Sequence, residues 1–124
     1  MMNRKVTFMN IKGFGGIFWR TRNIEDIKKW YSEVLNMDIN EWNGTIITPQ
    51  EGNETIFSLF SQDDGYFPLA QQVMLNFQVE NMEDSMKHLE KMGVPLVKEK
   101  EVSEFGKFIW IEDPEGRRIE LWEK

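Results

Sequence analysis

Asn23-Ile24-Glu25-Asp26 and Asn81-Met82-Glu83-Asp84 decide the architecture of this chain. Each reads as the start of a helix. Asn is a good N-cap, because its side-chain oxygen accepts from a backbone N–H that the first turn leaves unpaired, and an acid follows three residues on. After Asn23 the apolar residues are Ile24, Ile27, Trp30, Tyr31, Val34 and Leu35; after Asn81 the stripe is Met82, Ser85, Met86, Leu89 and Met92, closed by Gly93. Both have the spacing of a helix with one buried face. The two starts lie 58 positions apart, so the chain repeats a unit once. A repeat that occurs only twice implies a pseudo-two-fold domain rather than a solenoid.

Working outward, each helix follows an alternating stretch, residues 14–20 and residues 73–79, and precedes three more candidate strands. In the first half these are 38–42, 45–48 and 55–61, with Asn43-Gly44 as a type I′ hairpin signal. In the second they are 96–98, 107–112 and 118–122, with Asp113-Pro114-Glu115-Gly116 as a turn. The order is strand, helix and three strands, twice. Module one spans about 13–61, a linker 62–72, and module two 73–124, within one domain of residues 1–124.

Composition narrows the function. At 124 residues, 40% hydrophobic and 29% charged, the chain is ordinary globular protein with room for one core. It has no cysteine, which excludes disulfides, thiol catalysis and Cys-ligated zinc. Its single histidine, His88, excludes any mechanism needing two in one chain. His88 falls off the apolar stripe and reads as a surface helix residue. The net charge of -6, without a basic run, lacks the footprint of a nucleic-acid or anionic-membrane binder. Residues 1–12 have Arg4 and Lys5 but no long apolar stretch after them, so they do not read as a secretory leader. A cytoplasmic location is the expectation. Gly13-Phe14-Gly15-Gly16 leads into a strand instead of opening a helix, so it is not a phosphate cradle.

The segments Thr21-Arg22-Asn23 with Trp30-Tyr31-Ser32-Glu33-Val34-Leu35, and Glu112-Asp113-Pro114-Glu115-Gly116-Arg117-Arg118-Ile119-Glu120-Leu121, together with the doubled βαβββ order, resemble the vicinal oxygen chelate superfamily, which includes glyoxalase I and the bleomycin-resistance proteins. The resemblance runs from about Gly13 to the C-terminus. It implies an α+β fold in which two βαβββ modules form a curved, mostly antiparallel eight-stranded cup with a helix behind each half. It does not imply one reaction, because the superfamily hosts several chemistries and non-catalytic binders.

Strand alternation assigns faces within such a cup. Leu75, Phe77 and Val79 face the helix, leaving Met74, Asn76 and Gln78 inside. Ile119 and Leu121 face the core, leaving Arg118, Glu120 and Trp122 inside. Phe108 and Trp110 share one face, Ile109 and Ile111 the other. In the first half Phe14, Gly16, Phe18 and Arg20 face inward, and Ser58 is the counterpart of Glu120. The family's metal positions map to Gly16, Ser58, Met74 and Glu120, of which only Glu120 is a hard oxygen ligand. No cofactor is therefore expected; a divalent metal held through Glu120 is the alternative.

The candidate ligand-binding residues are Phe18, Arg20, Ser58, Phe60, Met74, Asn76, Gln78, Trp110 and Trp122, with Glu120 as the candidate catalytic group. Each has a plainer reading. Glu120 and Arg20 or Arg118 form a structural ion pair, the aromatics are core, and the amides face water. Ser103-Glu104-Phe105-Gly106 is either a loop at the cup's mouth or a connector, and Lys98-Glu99-Lys100-Glu101 is a solvated edge. Three functions are carried forward: metal-independent binding of a small organic molecule, a glyoxalase-like lyase or isomerase with Glu120 as general base and Arg20 or Asn76 on the oxyanion, and an interaction domain whose cup is filled. A homodimer, with modules paired within or between chains, is compatible with each.

Overall fold

The structure is a computed structural model and describes residues 9–124; the segment holding Arg4 and Lys5 lies outside them. Helix α1 spans Ile24–Val34 and helix α2 spans Met82–Lys91. Asn23 and Asn81 cap them, accepting from the backbone N–H groups of Asp26 at 3.2 Å and Asp84 at 2.9 Å. At the end of α2, Gly93 adopts φ 73° while the Gly93 and Val94 N–H groups return to Glu90 O and Leu89 O. That is a Schellman stop, which uses carbonyls the last turn leaves free.

Four strands follow the repeat's second half: β1 Leu75–Gln78, β2 Glu101–Ser103, β3 Gly106–Glu112 and β4 Arg118–Glu123. They form a mixed sheet in the order β1-β4-β3-β2, with β1 parallel to β4 and the other pairs antiparallel. The third-from-last strand lies later than the alternation of residues 96–98 suggests. Val97 N bonds to Trp110 O at 2.7 Å, but the ladder itself begins at Glu101. Residues 103–106 form a tight hairpin in which Ser103 pairs with Gly106, rather than an open loop.

In the first half, residues 14–20, 38–42, 45–48 and 55–61 carry no ladder. Alternation supplies a strand with faces but not with a neighbour. Two turns close there, at 40–44 and at 50–53, where Asn53 N bonds to Gln50 O at 3.0 Å. Asn40 N bonds to Gly44 O at 2.8 Å and Asn43 N to Asn40 O at 2.9 Å, with Asn43 at φ 69°. This is a three-residue loop with Asn in the left-handed position, not a type I′ turn.

Ile27, Tyr31 and Val34 of α1 share one buried cluster with Met82 and Leu89 of α2 and with Ile109, Ile111, Ile119 and Leu121. Both helices therefore share one core with the same face of this sheet. Four polar ties hold α1 there. Tyr31 donates to Asp113 at 2.9 Å, and Glu115 accepts from Thr21 Oγ1 at 2.5 Å and from the Arg22 and Asn23 amides at 3.1 and 3.3 Å. His88, read as a surface residue, is half-buried, and its Nε2 donates to Val34 O at 2.8 Å. It satisfies one of the orphan carbonyls at the end of α1. Among the described residues no helix is long and apolar enough to cross a membrane.

Candidate functional site

The face of the sheet turned away from the helices is set by register. Asn76 on β1 and Trp110 on β3 both lie directly opposite Glu120 on β4. Side chains at paired positions on one face are near neighbours, so three successive strands place an amide, a carboxylate and an indole in one row. Asn76 Nδ2 donates to Glu120 Oε1 at 2.6 Å, and Trp110 Nε1 donates to Glu120 Oε2 at 2.9 Å. A third donor, the Tyr66 hydroxyl, reaches Oε2 from the linker. Burial, and next the hydrogen bond to Glu120, push the Tyr66 phenol well above the usual tyrosine range.

Glu120 is 7% exposed and meets only neutral donors. The ion pair considered for it does not form. Arg118 instead lies 3.6 Å from Glu112, and Arg20 lends its backbone oxygen to Arg117 at 2.7 Å. One hydrogen of the Asn76 amide is committed to the carboxylate.

Aromatic rings surround the carboxylate. Phe60 stacks on Tyr66 with centroids 5.4 Å apart, and Tyr66 meets Trp110 edge-on at 6.1 Å and 84°. In the next row Phe108 stacks on Trp122 at 6.1 Å and 3°, and also on Trp110 at 6.4 Å. Lys98 Nζ lies 4.3 Å from the Trp110 ring centroid. Trp122 Nε1 donates to Phe105 O at 2.8 Å, fixing the hairpin against the face. Trp110, at 2% exposed, is as buried as any core residue, so the core and ligand-lining readings of this ring coincide.

The structure thus brings together Phe60, Asn76, Trp110, Glu120 and, one row along, Trp122. Gln78 is paired with Trp122 in register, but its amide is turned to the first half: it accepts from Asn53 Nδ2 and Glu54 N and donates to Gly52 O. Met74 is half-buried beside β1, Ser58 is exposed, and Phe18 is 93% exposed. Phe18 lines a cavity of about 440 Å³ together with Tyr31, Leu75 and Arg117, on the side of the sheet that the helices cover. A second cavity, of about 590 Å³, lies by α2 and Phe77. Glu120 lines neither.

Sequence reasoning missed Tyr66 and Lys98. Tyr66 sits in the 62–72 linker, where position carries no facing information, and Lys98 was read as part of a solvated edge. The closeness of Phe60 to residues 66–67 was the only available signal.

The metal that the fold family uses does not fit these residues. Gly16 offers no donor, Ser58 and Met74 do not converge on Glu120, and the carboxylate oxygens already accept three hydrogen bonds. Among the described residues no three acids or histidines cluster at ligating distance.

A family profile, the glyoxalase/bleomycin resistance protein/dioxygenase superfamily, matches residues 13–121. Among solved structures, a protein from the mobile metagenome of V. Pseudocholerae is similar at TM-score 0.60 and 19% identity, covering 94% of this chain and 98% of its own. A superfamily member from Sphaerobacter thermophilus is similar at TM-score 0.51 and 18% identity, covering 84% and 90%. An antibiotic binding protein from a Streptomyces species is similar at TM-score 0.52 and 18% identity, covering 80% and 84%. At these identities the likeness concerns the fold. A search of curated proteins finds no match. With the profile covering nearly the whole chain, and with its Asp113–Gly116 hairpin packed on Tyr31, the chain belongs to the glyoxalase/bleomycin resistance protein/dioxygenase superfamily.

Proposed function

We propose that the chain binds a small organic molecule carrying an aromatic ring, on the sheet face around Glu120, without a metal. The observation that carries this reading is a buried carboxylate held by three neutral donors and ringed by Phe60, Tyr66, Trp110 and Phe108. Rings give flat area for stacking, and the carboxylate gives one strong acceptor to fix orientation. The relative described as an antibiotic binding protein supports the same kind of ligand. We extend the reading to the eight-stranded cup, in which the first-half segments 14–20 and 55–61 close over this face. The exposed side chains of Ile56, Phe57 and Leu59 supply the apolar surface such closure needs.

The test is a tryptophan-fluorescence titration of untagged protein with a panel of aromatic compounds, beside elemental analysis after incubation with Mn, Fe, Co, Ni and Zn. Saturable quenching is expected, weakened about tenfold in Glu120→Gln, which is the loss of roughly one hydrogen bond to a charged acceptor. One equivalent of metal per chain, lost in Glu120→Gln, would overturn the metal-free reading.

A further inference from the structure

We infer that Tyr66 is a built-in stand-in for the ligand, so that the ligand is a phenol: an aromatic ring with a hydroxyl donor at its edge. The inference rests on the binding-site reading above and names its substrate class. The Tyr66 ring is held as a bound aromatic would be. One face stacks on Phe60 at 5.4 Å and 22°, its edge meets Trp110 at 6.1 Å, and its hydroxyl ends on Glu120. Stacking tolerates many rings, but the hydroxyl contact does not. Glu120 Oε2 already takes the Trp110 N–H, Oε1 takes the Asn76 amide, and the Tyr66 hydroxyl is a third donor to a carboxylate with no ion pair among the described residues. A site built around a hydroxyl rejects the analogue lacking it, because the buried acceptor is left short.

The segment that carries Tyr66 is suited to release it. Residues 62–72 contain no helix or strand, and Tyr66 keeps 38% of its surface exposed. Asp64 Oδ1 accepts from the Tyr66 amide at 2.8 Å on one side. On the other, Gln71 is fastened to Arg118 by two backbone contacts, at 2.9 and 2.8 Å. When residues 64–70 swing about the fixed Gln71, Phe67, which meets the Phe60 ring edge-on at 5.5 Å, leaves with Tyr66. An incoming ring on Glu120 takes the place Tyr66 holds. The free protein then spends most of its time occupied by itself, and apparent affinity falls by the fraction of time the site is open.

The experiment titrates wild type, Tyr66→Ala and Tyr66→Phe with 4-phenylphenol and its methyl ether, following tryptophan fluorescence, and measures amide exchange of residues 62–70 with and without the phenol. Wild type is expected to bind the phenol, and Tyr66→Ala to bind it about tenfold more tightly or better. Tyr66→Phe, which keeps the ring, is also expected to bind it more tightly. The ether should bind at least about tenfold more weakly throughout. Exchange of residues 62–70 in wild type should rise on binding, although ligands usually slow exchange at their site. If both variants bind no more tightly than wild type, or the ether binds as well as the phenol, or exchange of 62–70 stays constant or slows, the inference is overturned. In those cases Glu120-dependent binding of other aromatics leaves the site reading standing. If no aromatic compound binds either protein, both fall.

Discussion

At position 106 a Cβ would stand 2.2 Å from the backbone oxygen of Glu123 and 2.9 Å from Trp122 Nε1, and the residue's φ is 126°. Only glycine adopts that conformation without strain, and the nearest obstacle is backbone, which does not step aside. Gly106→Ala is expected to lower stability by roughly 2 kcal/mol or more, from overpacking and backbone strain together. It should also release the Trp122 indole from Phe105 O, since the hairpin must shift. Thermal melting and the tryptophan emission maximum check both; an unchanged melting temperature would contradict the packing described. Elsewhere on the face, single residues were legible where alternation held. Period-two spacing, within the cup that the resemblance implies, put Glu120 and Asn76 on one face and Trp110 on a face with Phe108, and the register puts the three in one row. Tyr66 was not legible, because an irregular linker has no period from which to read a direction.

At the scale of elements, the attachment of α1 to the 113–117 hairpin is the most charged contact in the molecule. Asp113 accepts from Tyr31, from the Glu115 and Arg117 amides and from the Arg117 guanidinium, while Arg117 also reaches Glu115 and lies 4.0 Å from the Trp19 ring. The Thr21 hydroxyl foremost, and Arg117 after it, hold the Glu115 carboxyl below the ordinary glutamate range. A carboxylate whose folded pKa is depressed stabilises the fold above its unfolded pKa. It loses that contribution as pH falls through the folded value. Glu115→Gln is therefore expected to melt several degrees below wild type at neutral pH. The gap should narrow once the pH passes below about 4. Parallel melts from pH 7 to pH 3 test this, and a gap that is constant with pH would show that charge is not involved. Both helices were visible in the sequence through their Asn caps and stripes. That they share one sheet was not, because an apolar stripe says that it is buried but not against what.

For the whole molecule, the balance of surface is uneven. Most buried apolar residues belong to the second half, whereas Ile46, Ile56, Phe57 and Leu59 of the first half are more than half exposed. β1 is an edge strand of the sheet. Unpaired edges and contiguous apolar surface favour association. We therefore expect a homodimer in which these segments find partners, with a light-scattering mass of two chains at micromolar concentration. Leu59→Lys should shift it toward one chain. A wild-type protein that stays monomeric throughout that range would argue against the expectation. The two helix starts were legible because both halves carry the same Asn cap with an acid three residues on. Closure of the cup was not, because strand pairing across modules depends on edges whose partners the alternation does not name.

The ties that seat α1 reach far along the chain: Tyr31 to Asp113 spans 82 positions, Thr21 to Glu115 spans 94, and His88 to Val34 spans 54. Closing such long loops is entropically costly before any contact rewards it. During synthesis the apolar stripe of α1 emerges before any of these partners, and its ties are then made in stages: Met82, His88 and Leu89 first, the 113–117 hairpin later. α1 should thus dock in full only once that hairpin exists, with part of its buried face uncovered while the residues between are made.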